Sequence, residues 1–198
     1  MNYALTLKKL IARQDLTENE AHEAVTAILA GQLTEGQIGA FLATLAAKGE
    51  TIDEIAAGAR AMRAAATRVQ SLSPNTLDTV GTGGDGGMTF NVSTTVAFVA
   101  AGAGAIVAKH GNRASSGKSG SADCLEQLGL NLNAHPEIME QALNEIGIAF
   151  LFAPSFHKAM RFAGPVRKQL GVRTLFNLLG PLTNPAGAPC QLIGVFEI

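Results

Sequence analysis

The sequence contains few cysteines: only Cys124 and Cys190 occur among its 198 residues. They are far apart and show no metal-ligand spacing, which argues against both a disulfide framework and a zinc site. A protein with so little cysteine fits a reducing compartment, so we expect it to be cytoplasmic.

Charged residues are also scarce, at 16% of the chain, and 15 basic side chains nearly balance 16 acidic ones. The formal net charge of -1 gives no global attraction to nucleic acid or to an anionic membrane, so neither is expected as a partner. Hydrophobic residues make up 47% of the chain, which predicts a globular protein with a sizeable core. Any anion-binding site must therefore be local.

Long apolar runs are missing as well. The longest one, Val96 to Ala108, contains two glycines and is shorter than the ~20 residues that span a bilayer. The N-terminal region interrupts its apolar positions with Lys8, Lys9 and Arg13, and it shows no export signal.

Helical signals fill residues 1–70. Three threonines are each followed, three positions later, by Glu or Gln, as in a capping box, where each side chain bonds the other residue's backbone N–H. The pairs are Thr17 with Glu20, Thr34 with Gln37, and Thr51 with Glu54. Gly31 and Gly49 lie where the preceding helices should end. Apolar residues at spacings of three and four predict that these helices pack together as a small all-helical N-terminal domain.

Residues 71–198 change character, because short strand-like runs alternate with helical ones. Strands are predicted over 77–80, 105–108, 148–152 and 191–196, the last of them buried, and helices over 94–101, 122–127, 136–146, 156–162 and 166–170. This alternation predicts an α/β domain with a mainly parallel sheet and right-handed crossovers. Because the sequence stops just after a strand, we expect this domain to be truncated.

A glycine-rich loop, Gly81–Gly87, lies between the first predicted strand and the following helix. Glycine lets backbone N–H groups approach an anion closely, and the start of a helix favours negative charge, so this loop predicts phosphate binding. Side-chain donors follow at Thr89, Asn91, Ser93 and Thr94. The Ser93 hydroxyl also suits magnesium, which prefers oxygen ligands. A dinucleotide site is disfavoured, since no acidic residue lies between Asp85 and Asp123 to hold a ribose.

A second loop, Lys109–Ser121, again follows a predicted strand and precedes a helix, and it holds three basic residues, a histidine and four serines. This composition predicts a second polyanion site. Gly117-Lys118-Ser119 resembles the end of a triphosphate-binding loop, but Asn112 stands where that motif requires its first glycine. Because parallel sheets bind ligands at the carboxyl ends of their strands, we expect the two loops to meet on one ligand.

Three stretches, GTGGDGGMTFNVST, KHGNRASSGKSGSADCLEQLG and RTLFNLLGPLTNP, resemble the signature stretches of anthranilate phosphoribosyltransferases in order and separation. The resemblance covers essentially the whole chain. It implies magnesium-dependent transfer of the phosphoribosyl group of 5-phosphoribosyl-1-diphosphate to the amine of anthranilate, with release of pyrophosphate, in tryptophan biosynthesis. It further implies a nucleoside phosphorylase-like fold, with residues 165–185 packing on a hinged helical domain through which a homodimer forms.

The resemblance also assigns roles to residues. For the phosphoribosyl diphosphate it implies Gly81, Gly84, Asp85, Thr89, Asn91, Val92, Ser93, Thr94, Lys109, His110, Gly111, Asn112, Arg113, Ala114, Ser115, Ser116, Gly117 and Ser121. For anthranilate it implies Gly81, Asn112 and Arg167, with His110, His157 and Pro181 near the ring, and for magnesium Ser93. Arg167 as a surface charge and His157 as a buried packing residue remain open alternatives.

The sequence departs from the family in one respect. The family places an acidic Asp-Glu pair for magnesium beyond position 198, and Glu197 has no matching context. This departure predicts a chain with much of the ligand-binding surface but little or no activity. Two other functions stay open: a pyrimidine nucleoside phosphorylase, which fits the Lys109–Arg113 run poorly, and a non-catalytic nucleic-acid-binding protein of the same fold, which the near-neutral charge disfavours.

Overall fold

The computed structural model of the chain describes residues 1–83, 90–114 and 119–195. In chain order its elements are helices α1 Tyr3–Ile11, α2 Glu18–Leu29, α3 Glu35–Lys48 and α4 Ile52–Ala64, strand β1 Leu77–Gly81, α5 Val92–Gly102, β2 Val107–Gly111, α6 Ser121–Gln127, α7 Pro136–Glu145, β3 Ile148–Phe152, α8 Ala153–Phe156, a 3-10 turn Lys158–Arg161, α9 Gly164–Leu170, α10 Leu175–Leu179, a 3-10 turn Gly180–Leu182, and β4 Cys190–Gly194. Within the described ranges, no helix combines the length and apolar character needed to cross a bilayer.

The chain divides into two compact units, each built from two stretches. The helical unit comprises residues 1–66 and 157–183, and the α/β unit comprises residues 67–156 and 184–198. The expected fold class, an N-terminal helical domain and a parallel-sheet α/β domain, is confirmed.

The helical unit begins three of its helices as the sequence predicts. Capping boxes at Thr17, Thr34 and Thr51 start α2, α3 and α4, with both reciprocal hydrogen bonds present in each. Apolar faces of these helices, including Ile28 and Phe41, then pack into one core with residues of α9 and α10. Short helices with too little local stability are thus held by shared burial.

Glu54 links three segments of the helical unit. Its carboxylate is fully buried and accepts the backbone N–H of Leu16 at 2.9 Å and that of Thr51 at 2.8 Å. The Lys48 ammonium lies 3.0 Å from the same carboxylate and also contacts Asp15. Burial alone would lower the pKa of Lys48, but the hydrogen bonds to Asp15 and Glu54 raise it above the ordinary lysine value.

The α/β unit contains a four-stranded parallel sheet in the order β3-β2-β1-β4. Alternation along β3 sends its side chains to opposite faces. Leu151 packs with Leu143 of α7 in one cluster, whereas Phe152 packs with Leu125 of α6 in another. Burial on both faces explains why the sequence of β3, IAFLF, is a continuous apolar run.

Several predicted elements differ from the structure. The strand predicted over 191–196 is β4, but all five of its residues are exposed, because β4 is an edge strand hydrogen-bonded to β1 alone. Phe196, at the end of that prediction, lies outside the described residues. The strand predicted over 105–108 is shifted to Val107–Gly111, since pairing with β3 continues through Lys109 to Gly111. The prediction that the basic loop starts at Lys109 is therefore wrong.

The helix predicted over 156–162 is also wrong in its details. The structure has α8 ending at Phe156, followed by the separate turn Lys158–Arg161. The helix predicted over 94–101 begins earlier, at Val92, and α10 was not predicted. These short elements have few residues from which a periodicity can be read.

Candidate functional site

The carboxyl edge of the sheet beside β1 is the candidate functional site. β2 lies on one side of β1 and β4 lies on the other, so the strand order reverses at β1. Parallel sheets bind ligands in the crevice that such a reversal opens. Gly81 ends β1 at this edge and Gly111 ends the neighbouring β2, so both predicted anion-binding loops start here.

Six of the predicted site residues lie outside the part of the chain that the structure describes. They are Gly84, Asp85, Thr89, Ser115, Ser116 and Gly117. The other predicted site residues of both loops are described, and they define the base of each loop.

The start of α5 brings the two loops together. Asn91 precedes the helix, and its Nδ2 group donates to the Ser119 hydroxyl at 3.4 Å and to the Gly120 carbonyl at 3.5 Å. Val92 is exposed, whereas Thr94 is buried, and its hydroxyl has no partner among the described residues. A polar atom at the start of α5, just after the first loop, thus contacts the end of the second loop.

Lys109 extends from β2 toward the start of α5. Its side chain is buried, with 3% of the residue exposed. The ammonium donates to the Thr79 carbonyl at 2.6 Å and to the Ser93 hydroxyl at 3.2 Å. Burial lowers the pKa of Lys109 to about 8, and the negative charge of Asp78 opposes that shift. A positive charge therefore lies directly beneath the Ser93 hydroxyl.

Asp78 is the acidic partner inside the sheet, and sequence reasoning missed it. Its carboxylate has no exposed surface and accepts the His110 backbone N–H at 3.2 Å. Gln191 donates to it at 3.3 Å, and the Asn184 side chain also bonds it. Burial raises the pKa of Asp78, and these hydrogen bonds and Lys109 oppose the rise. The signal that reveals it is a lone carboxylate in the otherwise uncharged run LDTVG.

Asp123 shapes the base of the second loop and was also missed. One of its oxygens accepts the Ala114 N–H at 2.9 Å and the Gly120 N–H at 2.8 Å, and these hydrogen bonds hold the pKa of Asp123 below its ordinary value. The backbones are so close that a Cβ on Gly120 would lie 2.3 Å from the Ala114 nitrogen. The backbone therefore comes close together at Ala114 and Gly120, where the loop begins and ends. The sequence signal for Asp123 was an acidic residue three positions after the glycine that precedes α6.

Two more residues of this loop are held locally. Asn112 accepts the Ser121 hydroxyl at 3.1 Å through its carbonyl, and its side chain accepts the Arg113 N–H at 2.8 Å. The Arg113 guanidinium forms ion pairs with Asp123 and, through both terminal nitrogens, with Glu126. These carboxylates raise the pKa of Arg113, with Glu126 the larger cause. Its charge is therefore largely compensated by these two carboxylates.

The predicted anthranilate-binding residues are distributed over both units. Gly81, His110 and Asn112 belong to the α/β unit, where His110 is buried on β2. Arg167, His157 and Pro181 belong to the helical unit.

Within the helical unit, Arg167 lies on α9 with its guanidinium 5.7 Å from the centroid of the Phe176 ring. Its Nε is buried without a partner among the described residues, and burial lowers the pKa of Arg167. His157 and Pro181 are also buried. An arginine with an unsatisfied buried N–H is suited to receive a carboxylate.

Metal-binding capacity within the described residues is limited. They contain no group of three or more His, Cys, Asp or Glu side chains arranged to hold a metal ion. Ser93 offers one hydroxyl oxygen, and magnesium commonly completes its six ligands with water and substrate phosphates. Ser93 therefore fits a magnesium ion only if a phosphorylated ligand supplies further oxygens. Both cysteines are free.

Comparison with known proteins identifies the family to which both units are similar. The helical bundle domain of a glycosyl transferase family matches residues 5–66, and the a/b domain of that family matches residues 73–198. An anthranilate phosphoribosyltransferase of Desulfosudis oleivorans is 60% identical over 194 residues, which cover 98% of this chain and 57% of the relative.

Two solved structures are similar throughout. Anthranilate phosphoribosyltransferase from Thermus thermophilus is 52% identical with a TM-score of 0.91, and the match covers 97% of this chain and 58% of that one. The Saccharomyces cerevisiae enzyme in complex with PRPP and Mg is 32% identical with a TM-score of 0.89, covering 98% and 58% respectively. The chain thus spans a little over half the length of these relatives.

Proposed function

The chain belongs to the glycosyl transferase family, and from this membership we propose that it forms the phosphoribosyl diphosphate-binding part of an anthranilate phosphoribosyltransferase. The reaction joins the amine of anthranilate to C1 of 5-phosphoribosyl-1-diphosphate and releases pyrophosphate. The observation that carries the proposal is the contact of Asn91 with Ser119 and Gly120, which joins the start of α5, just after the first loop, to the end of the second loop.

The α/β unit supplies the groups that would hold the phosphorylated sugar. Backbone N–H groups at the start of α5 and hydroxyls beside it are donors of the kind that bind phosphate. The residues we propose for this role are Gly81, Gly84, Asp85, Thr89, Asn91 to Thr94, Lys109 to Gly117 and Ser121. The buried Lys109 ammonium adds a positive charge that water screens poorly.

The chemistry asks the protein mainly to bind and orient. The bond between ribose C1 and a diphosphate oxygen breaks, the anthranilate nitrogen forms a bond to C1, and that nitrogen loses a proton. Negative charge grows on the leaving diphosphate, so fixed donors and cations near it lower the barrier. A neutral aromatic amine is already nucleophilic, and alignment of the two reactants supplies much of the remaining acceleration.

Anthranilate carries a carboxylate that needs a cationic partner for alignment. We propose Arg167 for this role, because its guanidinium is partly buried over Phe176 and retains a buried N–H without a partner among the described residues. Gly81, Asn112, His110, His157 and Pro181 remain proposed contacts of the ring. The Ser93 hydroxyl would help to hold a magnesium ion together with the diphosphate, and such an ion would supply positive charge for the leaving group.

Two further properties are carried as proposals. Cytoplasmic location is supported by the presence of two free cysteines. A homodimer through the helical unit is supported by exposed apolar side chains on α1, among them Leu5 and Ile11. Light scattering of the purified chain should give twice the mass of one chain, and the mass of a single chain would contradict the dimer.

Calorimetric titration with 5-phosphoribosyl-1-diphosphate tests the proposed function directly. We expect binding that strengthens with magnesium, and no comparable binding of a pyrimidine nucleoside with inorganic phosphate. Turnover of anthranilate is measured in parallel on the same preparation. Tight nucleoside binding without sugar diphosphate binding would contradict the proposal.

A further inference from the structure

The backbone ladder between β1 and β2 is much shorter than the other ladders of the sheet. β2 pairs with β3 over five residue pairs, and β1 pairs with β4 over five. β1 and β2, in contrast, pair only at Leu77 and Val107, at the amino ends of the strands. The two central strands therefore have no further ladder pair near the carboxyl edge, where the candidate site lies.

Side chains bond the backbone groups that the ladder would otherwise use. Since the Leu77 N–H donates to the Ile106 carbonyl, a continued parallel ladder would next join Thr79 N–H to Ala108 C=O and His110 N–H to Thr79 C=O. Instead, three side chains bond three of those four groups. Asn184 Nδ2 donates to Ala108 C=O at 2.7 Å, Asp78 Oδ1 accepts the His110 N–H at 3.2 Å, and Lys109 Nζ donates to Thr79 C=O at 2.6 Å.

These three side chains, Asp78, Lys109 and Asn184, are called the polar wedge below. Each is almost completely buried, with 0%, 3% and 4% of the residue exposed. Burying polar and charged groups is unfavourable unless their hydrogen bonds are made, and a backbone ladder would satisfy the same strands with apolar side chains. A wedge of this kind must therefore serve something other than the stability of the sheet.

The outer end of the wedge points to that purpose. The Lys109 ammonium contacts both the Thr79 carbonyl and the Ser93 hydroxyl, so it reaches from the gap in the ladder to the first turn of α5. Thr79 is tied to the same turn, because its hydroxyl donates to the Ser93 carbonyl at 2.8 Å. Asp78 holds the other side of the gap through the His110 N–H, immediately before the second loop.

We propose that Asp78 and Asn184 are positioning residues that replace the β1–β2 ladder and thereby fix Lys109 and the bases of both loops for a diphosphate sugar. This inference rests on the proposed function for the identity of the ligand. Neither residue needs to touch the ligand, since both act on the backbone of β2 and on the charge of Lys109. Asp78 compensates the buried ammonium, so Lys109 stays charged beside Ser93.

The decisive variant is Asp78→Asn, which keeps the shape of the side chain and removes its charge. The carboxylate receives hydrogen bonds from His110, Gln191 and Asn184, whereas an amide has one oxygen and presents N–H groups to at least one of these donors. We expect the affinity for 5-phosphoribosyl-1-diphosphate with magnesium, measured by calorimetry, to fall ~10-fold or more.

Thr76→Val is the matched control. Thr76 is equally buried, lies just before β1, and hydrogen-bonds Ser71 and Ser73, at the opposite end of the strand from the site. This variant also loses a buried polar group in the same unit, so it reports how far reduced stability alone weakens binding. We expect it to bind the sugar as the wild type does.

A double-mutant cycle separates positioning from general damage. Because part of the effect of Asp78 is exerted through the charge of Lys109, Asp78→Asn should weaken binding less in a Lys109→Met background than in the wild type. Additive losses, or a loss in Asp78→Asn no larger than that in Thr76→Val, would overturn the inference.

Amide hydrogen exchange tests the wedge without any ligand. In Asp78→Ala the His110 amide should exchange faster than in the wild type, while the Val107 amide, bonded to Gly147 on the β3 side, should keep its protection. Unchanged exchange at His110 would refute the replacement of the ladder. If the wild-type chain gives no heat on titration with 5-phosphoribosyl-1-diphosphate, the proposed function fails, and the positioning role fails with it. Faster exchange of the His110 amide in Asp78→Ala would still establish that the polar wedge replaces the ladder.

Discussion

Replacement of Glu54 by glutamine should destabilise the helical unit far more than its place in a capping box explains. The change keeps the length of the side chain and removes a charge that is fully buried and bonded to the Leu16 N–H, the Thr51 N–H and the Lys48 ammonium. Removing one member of a buried ion pair typically costs ~3–5 kcal/mol, because the other charge stays buried without compensation. Lys48 keeps Asp15 as a partner, so we expect about 3 kcal/mol of the free energy of unfolding to be lost.

The chain offers two comparisons that isolate this buried charge. Glu20 occupies the same position in its own capping box but is partly exposed, so Glu20→Gln should cost below about 1 kcal/mol. Gln37 already performs the capping role in α3, where it accepts the Thr34 N–H at 2.9 Å. A glutamine is therefore sufficient for the cap itself, and the excess cost at position 54 reports the contacts to Leu16 and Lys48.

Tyr3 provides a specific assay. It is the only tyrosine, and the chain has no tryptophan, so intrinsic tyrosine fluorescence during urea unfolding reports on the helical unit alone. Its hydroxyl donates to the Gln37 carbonyl at 2.8 Å, which ties the signal to the packing of α1 on α3. Equal losses in Glu54→Gln and Glu20→Gln would refute the reasoning that the buried contacts, rather than the cap, dominate.

Three further predictions concern the proposed site. Arg167→Lys should weaken anthranilate binding ~10-fold, measured by calorimetry with sugar diphosphate present, because a lysine cannot form a bidentate pair with a carboxylate. Arg161→Lys, in the same unit, should bind anthranilate normally, and equal effects of the two variants would contradict the role of Arg167 as the carboxylate partner. Ser93→Ala should reduce the enhancement of sugar binding by magnesium, and an unchanged magnesium dependence in the titration would remove Ser93 from the metal site. Asp123→Asn should speed hydrogen exchange of the Ala114 and Gly120 amides at neutral pH. Because the pKa of Asp123 is lowered in the folded state, its stabilising contribution is present above the ordinary aspartate pKa of about 3.9 and is lost as the pH falls through the lower folded-state pKa. The exchange rates of the two proteins should therefore converge in strong acid, and a difference that persists there would argue against a role of the Asp123 charge.

Sequence patterns predicted the fold well where the stabilising interactions join residues that are close in sequence. A capping box involves residues three positions apart, so Thr17, Thr34 and Thr51 located the starts of three helices without knowledge of the tertiary structure. The exposure of β4 was not predictable in this way. Its apolar sequence is typical of a buried strand, but its place at the edge of the sheet depends on the order in which all four strands pair.

The candidate site shows the same division. Glycine, serine and lysine in two strand-end loops indicated anion binding, because each residue type carries its own chemistry. The contacts of Asp78 with His110 and Gln191, and of Asn184 with Ala108, join residues 32 to 113 positions apart, and no periodicity in the sequence relates them. Arg113 was predicted as a phosphate ligand, but its pairing with Glu126 depends on α6 turning back over the loop base.

The division of the helical unit into two stretches has a consequence during synthesis. Gly58 of α4 lies where a Cβ would come within 3.2 Å of Leu175 and Leu179, so the surface of α4 is built to receive a helix that is translated much later. On a ribosome adding ~5–20 residues per second, residues 67–156 separate the two stretches by on the order of 5–20 s. During that interval the nascent N-terminal helices expose the apolar surface of α4 that later contacts α10. We expect chaperones that recognise such surfaces to bind the chain until α10 has been synthesised.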